Sequence, residues 1–243
     1  MSRVTECWFE YGGINCETKG LSLMELPTRE TAARNGQRVE VPGRSGYVWI
    51  PEDSYSEIGI TCECRTLDNA DRNAIADWLL RGDEDWLRFS DEPAVAYKAQ
   101  VLQKVARSSL LVAHHYQRYP VVFVCQPYRY LWPQRAAITA SSGGTVANQG
   151  TYISAPKIEI TASGEGRVVI GSCIIGLTDG GCVIDSELGL VFDADNITLK
   201  TNSVSLTGGQ LPNGFPGLLP GNNTITWSGG VTGVTITPRD RSL

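Results

Sequence analysis

Few residues in this sequence could carry out catalysis. The two histidines, His114 and His115, are adjacent, and adjacent residues of a strand point to opposite faces, so regular structure would not bring both to one site. A Ser-His-Asp site would need one of them, and the chain contains no Gly-x-Ser-x-Gly turn. We expect both histidines to be solvated. A pair of carboxylates acting as in a glycosidase stays open, since any two of the 26 acidic residues could meet in the fold.

Metal and nucleotide motifs are equally incomplete. Cys62 and Cys64 lack the two-residue spacer of a zinc knuckle, and we expect the seven cysteines to be mostly small core residues. The run from Asp193 to Asn196 resembles the start of a calcium loop but lacks its glycine. The stretch around Gly164 and Gly166 matches neither a P-loop nor a dinucleotide fingerprint, and we interpret it as a turn. The sequence therefore predicts no catalytic residues, no cofactor and no metal.

The charge and hydropathy patterns exclude two classes of partner. The net charge is −5, which offers no basic surface to bind phosphates, so we expect no specific nucleic acid. The start of the chain lacks the apolar run of a signal peptide, and no stretch is long and apolar enough to span a bilayer. We expect a cytosolic chain that uses no membrane.

A change in composition near Phe123–Pro133 predicts two domains, residues 1–133 and residues 134–243. Residues 1–133 contain 15 of the 21 lysines and arginines, and residues 134–243 contain 18 of the 26 glycines. Pro127 and Pro133 suit the exit of a strand better than its middle, so we expect the strand at Val121–Cys125 to end there.

The first part predicts an α+β domain, mostly β, with one helix. We expect a hairpin between Trp8–Gly13 and Leu21–Leu26, and a strand over Glu57–Arg65 that buries Ile58, Ile60, Cys62 and Cys64. Asp68 is the expected N-cap of the helix that carries the apolar stripe of Ile75, Trp78 and Leu79.

An exposed polar segment, Pro27–Gly36, precedes the strand Gln37–Val41. Valines alternate there with charged residues, which suits a sheet edge that extends between protomers. We therefore expect subunit contacts from four residues: Arg38, Val39, Val41 and Arg44.

The second part predicts a β-sandwich of the jelly-roll type, because short apolar runs alternate with glycine-rich turns. The strongest hairpin signal is Asp179-Gly-Gly181, and separate strands are expected at Asn223–Trp227 and Val231–Thr237. Trp227 shares a strand face with Ile225, which predicts a core position and disfavours an exposed sugar-stacking platform.

Read as a whole, the chain resembles the distal tail protein (Dit) family of long-tailed bacteriophages. Each motif alone is weak, and their succession covers nearly the full length in family order. The motifs are Phe9-Glu-Tyr-Gly-Gly-Ile, Val41-Pro-Gly-Arg-Ser-Gly46, Ile75-Ala-Asp-Trp-Leu, Leu87-Arg-Phe-Ser-Asp-Glu-Pro93, Tyr97-Lys-Ala, Phe123-Val-Cys-Gln-Pro-Tyr128, Ile184-Asp-Ser-Glu-Leu188, Phe215-Pro-Gly-Leu-Leu-Pro-Gly221 and Ile236-Thr-Pro-Arg-Asp-Arg.

The resemblance implies a non-enzymatic virion protein at the phage tail tip or baseplate, assembled in the host cytoplasm. It implies an N-terminal domain, a β-barrel or sandwich with one helix, that forms a hexameric ring, and a C-terminal galectin-like domain. The ring would join the tail tube protein to a tail-associated lysin or fibre hub around a DNA channel, with the tape measure protein as a further candidate partner. The alternative functions are a cell-wall carbohydrate-binding module for host attachment and, less favoured, a hydrolase with a carboxylate pair.

Overall fold

The computed structural model describes residues 7–66, 70–102, 118–194, 198–199 and 203–243. His114 and His115, Asp68, and residues 195–197 of the calcium-loop resemblance lie outside these ranges. The chain divides into two compact units, Met1–Trp132 and Pro133–Leu243. Each has its own hydrophobic core.

The first unit is built on one antiparallel sheet and one separate hairpin. Its sheet runs in the order β2-β1-β7-β8-β9-β6-β3, and β4 pairs only with β5 in the described residues. The elements are β1 (Phe9–Tyr11), β2 (Ile14–Asn15), a 3₁₀ turn (Cys16–Lys19), β3 (Leu21–Leu23), β4 (Arg34–Glu40), β5 (Tyr47–Tyr55), β6 (Ile58–Thr66), α1 (Arg72–Leu79), β7 (Asp85–Phe89), β8 (Val95–Gln100) and β9 (Arg118–Leu131).

Strand β6 confirms the predicted alternation. Ile58, Ile60, Cys62 and Cys64 are buried, because every second side chain of a strand faces the core. Helix α1 covers this core with Ile75, Trp78 and Leu79, as its apolar stripe predicts. The predicted cap was wrong: Asp71, not Asp68, precedes the helix, and its carboxylate accepts hydrogen bonds from the amides of Asn73 and Ala74.

The predicted hairpin near the start of the chain was also wrong. Strand β1 pairs with β2 and β7, whereas β3 pairs with β6 at the opposite end of the sheet order. The Gly12-Gly13 pair makes the tight β1–β2 turn, with positive φ angles of 59° and 73°. The 3₁₀ turn then follows β2, so β3 is free to pair elsewhere.

Pro127 does not end its strand, contrary to prediction. Strand β9 continues to Leu131, and the pairs Tyr97–Arg129 and Ala99–Cys125 leave Lys98 opposite three residues of β9. Pro127 is one of those three, so it lies at a β-bulge, where its missing N–H costs no regular ladder bond.

The described residues of the second unit form strands and no helix. They are β10 (Ile138–Ala140), β11 (Thr145–Asn148), β12 (Lys157–Ile170), β13 (Cys173–Leu177), β14 (Cys182–Asp185), β15 (Leu190–Asp193), β16 (Val204–Thr207), β17 (Gly221–Thr237) and β18 (Arg241–Ser242). Two of them, β12 and β17, are far longer than the rest and pair with each other along their length.

These two long strands each contribute to both layers of a sandwich. The first half of β12 pairs with β14 and the end of β17, which also pairs β10. The second half of β12 pairs with β13 and the start of β17, which also pairs β11. The register shifts between Thr161 and Gly166, where the halves meet. Ile158, Val168 and Ile236 thus share one core.

Three local predictions for this unit were wrong because the two long strands β12 and β17 pair with each other along their length. The glycines at 164 and 166 form no chain reversal but lie at the irregularity inside β12, and residues 223–237 form one strand rather than two. Asp179-Gly-Gly181 makes no hairpin, because β13 and β14 each pair with a different half of β12. The mostly β fold class, with its helix in the first unit, is confirmed.

Candidate interaction surface

The β4–β5 hairpin, which we call the arm (Arg34–Tyr55), is the most distinctive surface of the first unit. Its register pairs Arg38 with Trp49, Val39 with Val48 and Glu40 with Tyr47. Directly opposed residues lie on the same face, so Arg38, Glu40, Tyr47 and Trp49 form one face of the arm. Val39, Val48 and Ile50 lie on the other face.

Both faces of the arm are open to solvent. Tyr47 is 50% exposed, Trp49 43% and Ile50 51%, and Val39 and Val41 are exposed as well. A sheet usually buries at least one face, and an isolated two-stranded hairpin is only marginally stable in water. Exposed aromatic and branched residues beside arginine are typical of protein-binding surfaces. The arm therefore has the composition of an interface.

Local chemistry explains how the arm holds its shape. Gly36 has no side chain, and a Cβ there would lie 2.6 Å from the ring of Trp49, so the indole can lie across β4. The guanidinium of Arg38 lies 4.8 Å from the centre of the Tyr47 ring, a cation–π contact. In the connecting loop the amide of Arg44 donates to the carbonyl of Val41 at 3.1 Å.

The foot of the arm is fastened by polar contacts between its two strands. Arg34 donates to the Asp53 carboxylate at 2.9 Å and to the carbonyl of Glu52 at 3.0 Å, and Asn35 donates to the hydroxyl of Ser54 at 3.0 Å. Just before the arm, Arg29 forms an ion pair with Asp91. These contacts fix where the arm leaves the body of the unit.

The edges of the main sheet differ from those of the arm. The main sheet ends in β2 and β3, which have two and three residues. Such short strands give a second chain little to pair with. The arm strands have seven and nine residues, and each has one unpaired edge among the described residues. The arm is therefore the better site for association.

A cleft lies beside the foot of the arm, and we call it the base cleft. Its volume is about 440 Å³. The segment after β3 forms one side and the outer face of β6 the other, and the lining residues are Glu25, Leu26, Pro27, Thr28, Glu30, Gly59, Thr61 and Glu63. Three glutamates make the cleft acidic.

All four residues predicted to form subunit contacts belong to the arm. Arg38 and Val39 lie on opposite faces of β4, Val41 follows that strand, and Arg44 lies in the connecting loop. Sequence reasoning missed Tyr47, Trp49 and Ile50, since no strand was predicted after Gly46. The signal was present in Tyr47-Val-Trp-Ile50, an aromatic and β-branched run that follows a glycine turn.

A charged cluster in the second unit carries no such exposed surface. Arg239 donates two hydrogen bonds to the Asp185 carboxylate, at 2.6 and 2.8 Å, and also pairs with Glu187 at 3.2 Å. Burial alone would raise the pKa of Asp185, but the hydrogen bonds and charge of Arg239, with the Leu188 and Glu187 amides, outweigh burial and lower it. The cluster fastens the end of the unit to strand β14.

Candidate chemical groups are inert or scattered. Burial raises the pKa of the Cys16 thiol to about 11 and that of Cys125 to about 12, so both stay protonated near neutral pH. Among the residues that the structure describes, no three His, Cys, Asp or Glu side chains are grouped as metal ligands. Nor does that part of the chain contain a helix with the length and hydropathy to cross a bilayer.

No protein-family model matches the chain, and no curated protein matches it in sequence. Among solved structures, the chain is similar to the SPP1 Dit (gp 19.1) protein, described as a hub adsorption apparatus in phages that infect Gram-positive bacteria. The TM-score is 0.68 at 16% identity, over 98% of this chain and 99% of that one.

Chains of the phage p2 baseplate in its activated conformation, with Sr and with Ca, are also similar at lower scores. Their TM-scores are 0.48 and 0.47 at 8% and 7% identity, over 95% of this chain and 96% of theirs. Scores at that level do not define a common fold, so the comparison rests on the Dit protein. The resemblance predicted from the motifs is thus confirmed for the fold: this chain has the fold of the SPP1 Dit hub protein along nearly its whole length.

Proposed function

We propose that this chain is a non-enzymatic structural subunit of a bacteriophage tail hub. The observation that carries the proposal is the fold shared with the SPP1 Dit protein over 98% of the chain. A similarity that extends through both units, rather than one, favours the role of the whole protein over that of a borrowed module. In this role the chain belongs to the virion, at the tail tip, and is assembled in the host cytoplasm.

Residues 1–133 would form a hexameric ring, and residues 134–243 a galectin-like domain. The arm supplies subunit contacts through Arg38, Val39, Val41 and Arg44, together with Tyr47, Trp49 and Ile50. Their exposure supports this, because an apolar arm of this kind gains stability when a neighbour covers it. The ring would join the tail tube on one face and a fibre hub or tail-associated lysin on the other, with the tape measure protein as a further partner.

The central channel would pass DNA without binding it. A net charge of −5 supports this, since a mildly negative wall repels phosphates and forms no lasting contacts with them.

Native mass spectrometry and negative-stain electron microscopy of the purified chain test the proposal. We expect a mass of six subunits and annular particles with a central hole. A strict monomer over a wide range of concentration contradicts the proposal. So does a monomer that binds host polysaccharide, which is the outcome expected of a carbohydrate-binding module.

A further inference from the structure

The sequence contains two Asn-Gly pairs, Asn35-Gly36 and Asn213-Gly214. In this dipeptide the backbone nitrogen of the glycine can attack the side-chain amide of the asparagine, because glycine has no side chain to hinder the attack. The asparagine then becomes aspartate or isoaspartate. The backbone must be free to bend for the attack, so the surroundings of each pair decide whether it reacts.

The first pair is held within the arm. Asn35 and Gly36 lie in strand β4, where the carboxamide of Asn35 donates to the hydroxyl of Ser54 at 3.0 Å. The ring of Trp49 and the carbonyl of Ile50 fill the space beside Gly36, each 2.6 Å from the place that a Cβ would take. The nitrogen of Gly36 can therefore attack only after this part of the hairpin has opened.

The second pair lies in an exposed loop of the second unit. Asn213 and Gly214 are both exposed, and no atom of the described residues beyond the chain neighbours of Gly214 lies within 4 Å of the place that its Cβ would take. The loop is closed by two backbone hydrogen bonds, from the Gly214 amide to the Leu211 carbonyl at 2.9 Å and from the Leu211 amide to the Phe215 carbonyl at 3.2 Å. Only the first holds the attacking nitrogen, and opening it slows the attack by about tenfold at most.

The side-chain hydrogen bonds of Asn213 favour the reaction. Its Oδ1 accepts from the Phe215 amide at 3.1 Å, an Asx turn that folds the carboxamide back towards the amide of Gly214. The same N–H would stabilise the negative charge that develops on Oδ1 when the nitrogen adds to Cγ. The Nδ2 of Asn213 donates to the Ser186 carbonyl at 3.3 Å, so the side chain is held on both sides.

We propose that Asn213-Gly214 is a self-modification site, at which the folded chain converts Asn213 to aspartate or isoaspartate with water as the only co-reactant. The Gly214 nitrogen forms a bond to Cγ, the bond from Cγ to Nδ2 breaks, and ammonia leaves with the proton of the glycine amide. Water then opens the cyclic imide at one of its two carbonyls. Cleavage of the new bond to Cγ gives aspartate, and cleavage of the original peptide bond gives isoaspartate, in which the chain continues through Cγ. Nothing is oxidised or reduced.

The modification releases the loop. A carboxylate has no N–H to donate, so its oxygens would face the carbonyl of Ser186 without a hydrogen bond. Isoaspartate also lengthens the backbone of a turn that two hydrogen bonds close. Leu211 is buried and Phe215 packs against the second core, so the loop loosens where it covers that core. Because ammonia is lost to the solvent, the change accumulates with the age of the protein.

Incubation of the full native chain in H₂¹⁸O at mildly alkaline pH tests the site. Each conversion places an ¹⁸O atom in the new carboxylate, and digestion with pepsin in ordinary water separates it from conversion during the digest. We expect position 213 to convert faster than position 35 by roughly tenfold or more, because the strand must open before position 35 reacts. In denaturant the two positions should convert at similar rates, since both are then Asn-Gly pairs of an unfolded chain. Peptide mass spectrometry measures all four rates.

Two variants control for the position of the label. Asn213→Gln should abolish conversion at position 213, because the larger ring that glutamine requires forms far more slowly, and Asn35→Gln should leave it unchanged. A native chain in which position 35 converts as fast as position 213 overturns the proposal. So does a native chain in which position 213 stays unchanged while the denatured chain converts.

The release of the loop has its own test. Asn213→Asp reproduces one product, and we expect faster hydrogen exchange at the amides of Gly214 and Phe215 in this variant. Asn222→Asp, which makes the same charge change at an exposed position of β17, is the matched control and should leave those amides as they are. Equal exchange in both variants overturns the release of the loop.

Discussion

Arg239 and Asp185 form a two-pronged ion pair, with hydrogen bonds of 2.6 and 2.8 Å, at a position where the backbone of Arg239 has a positive φ of 53°. Non-glycine residues rarely adopt that conformation, which costs on the order of 1 kcal/mol. The pair therefore holds a strained residue in place, and each of its two members gives a measurable consequence.

The pH dependence of stability should report the Asp185 carboxylate. Its folded pKa lies below the ordinary value of 3.8, so its contribution is complete above about pH 5 and is lost as the pH falls through 3.8 toward the folded value. We expect Asp185→Asn to lower the free energy of unfolding by about 2 kcal/mol at pH 7, because Arg239 loses its two charge-assisted hydrogen bonds to the carboxylate and keeps the ion pair with Glu187, and by clearly less at pH 3. Urea titrations at both pH values measure the difference. Glu165→Gln, which removes one exposed negative charge, is the control, and an equal loss at both pH values contradicts the assignment.

Arg239 itself should separate the ion pair from the backbone strain. Both Arg239→Ala and Arg239→Gly remove the guanidinium, but glycine accepts a positive φ without a steric cost. We expect the alanine variant to be less stable than the glycine variant by about 1 kcal/mol. Thermal unfolding followed by circular dichroism measures this order. Equal stability would show that the φ of 53° carries no strain.

The cap of α1 should depend on Asp71. Its carboxylate accepts from the Asn73 amide at 2.9 Å and from the Ala74 amide at 3.3 Å. We expect Asp71→Ala to destabilise the first unit by about 1 kcal/mol, and Asp71→Asn to lose less, because asparagine also caps helices. Asp77→Ala, at an exposed position inside the helix, is the matched control. Urea unfolding that ranks Asp77→Ala as the more damaging change would refute the cap.

Thiol reactivity should follow burial. Cys62 and Cys64 are fully buried and burial raises the pKa of each, while Cys7 is partly exposed. Only the thiolate reacts quickly, so a brief iodoacetamide pulse at pH 8 should label Cys7 in the native protein and all seven cysteines in denaturant. Peptide mass spectrometry locates the label. Rapid native labelling at Cys62 or Cys64 would contradict the packing of β6.

The arm should matter for association and not for the fold. Changing Tyr47, Trp49 and Ile50 together to serine removes the exposed apolar surface, and we expect association to weaken by about 2 kcal/mol or more. The free energy of unfolding of the first unit's core should change by less than about 1 kcal/mol, since none of the three side chains belongs to that core. Light scattering and urea titration give the two values. Leu188→Ser, at another exposed apolar position, should change neither, and unaltered association of the arm variant would exclude the arm from the interface.

The parts of the fold that were predictable are those with a local cause. The alternation of Ile58, Ile60 and Cys62 predicts a half-buried strand because a strand has a period of two, and the spacing of Ile75, Trp78 and Leu79 predicts a helix for the corresponding reason. The same alternation beside charges predicts the strand Gln37–Val41, most of which lies in β4, while the subunit contacts of Arg38, Val39, Val41 and Arg44 stay a prediction.

Two kinds of error have a non-local cause. Glycines that suggest a turn by themselves lie inside the 14-residue strand β12, because the 17-residue strand β17 runs beside it and tolerates the irregularity as bulges. Pro127 lies within β9 for a related reason, since its neighbour β8 leaves a bulge opposite it. Neither partner is visible in the local sequence. Strand β5 was missed although its signal is local, because its exposed aromatic residues look unlike a strand that faces a core.

The shared strands β12 and β17 also determine how the second unit can fail. Neither layer of the sandwich can unfold by itself, because its two middle strands, β12 and β17, continue into the other layer. Local unfolding is therefore confined to the edge strands, and unfolding of β12 or β17 unfolds the whole unit. We therefore expect the second unit to unfold in a single cooperative step rather than layer by layer.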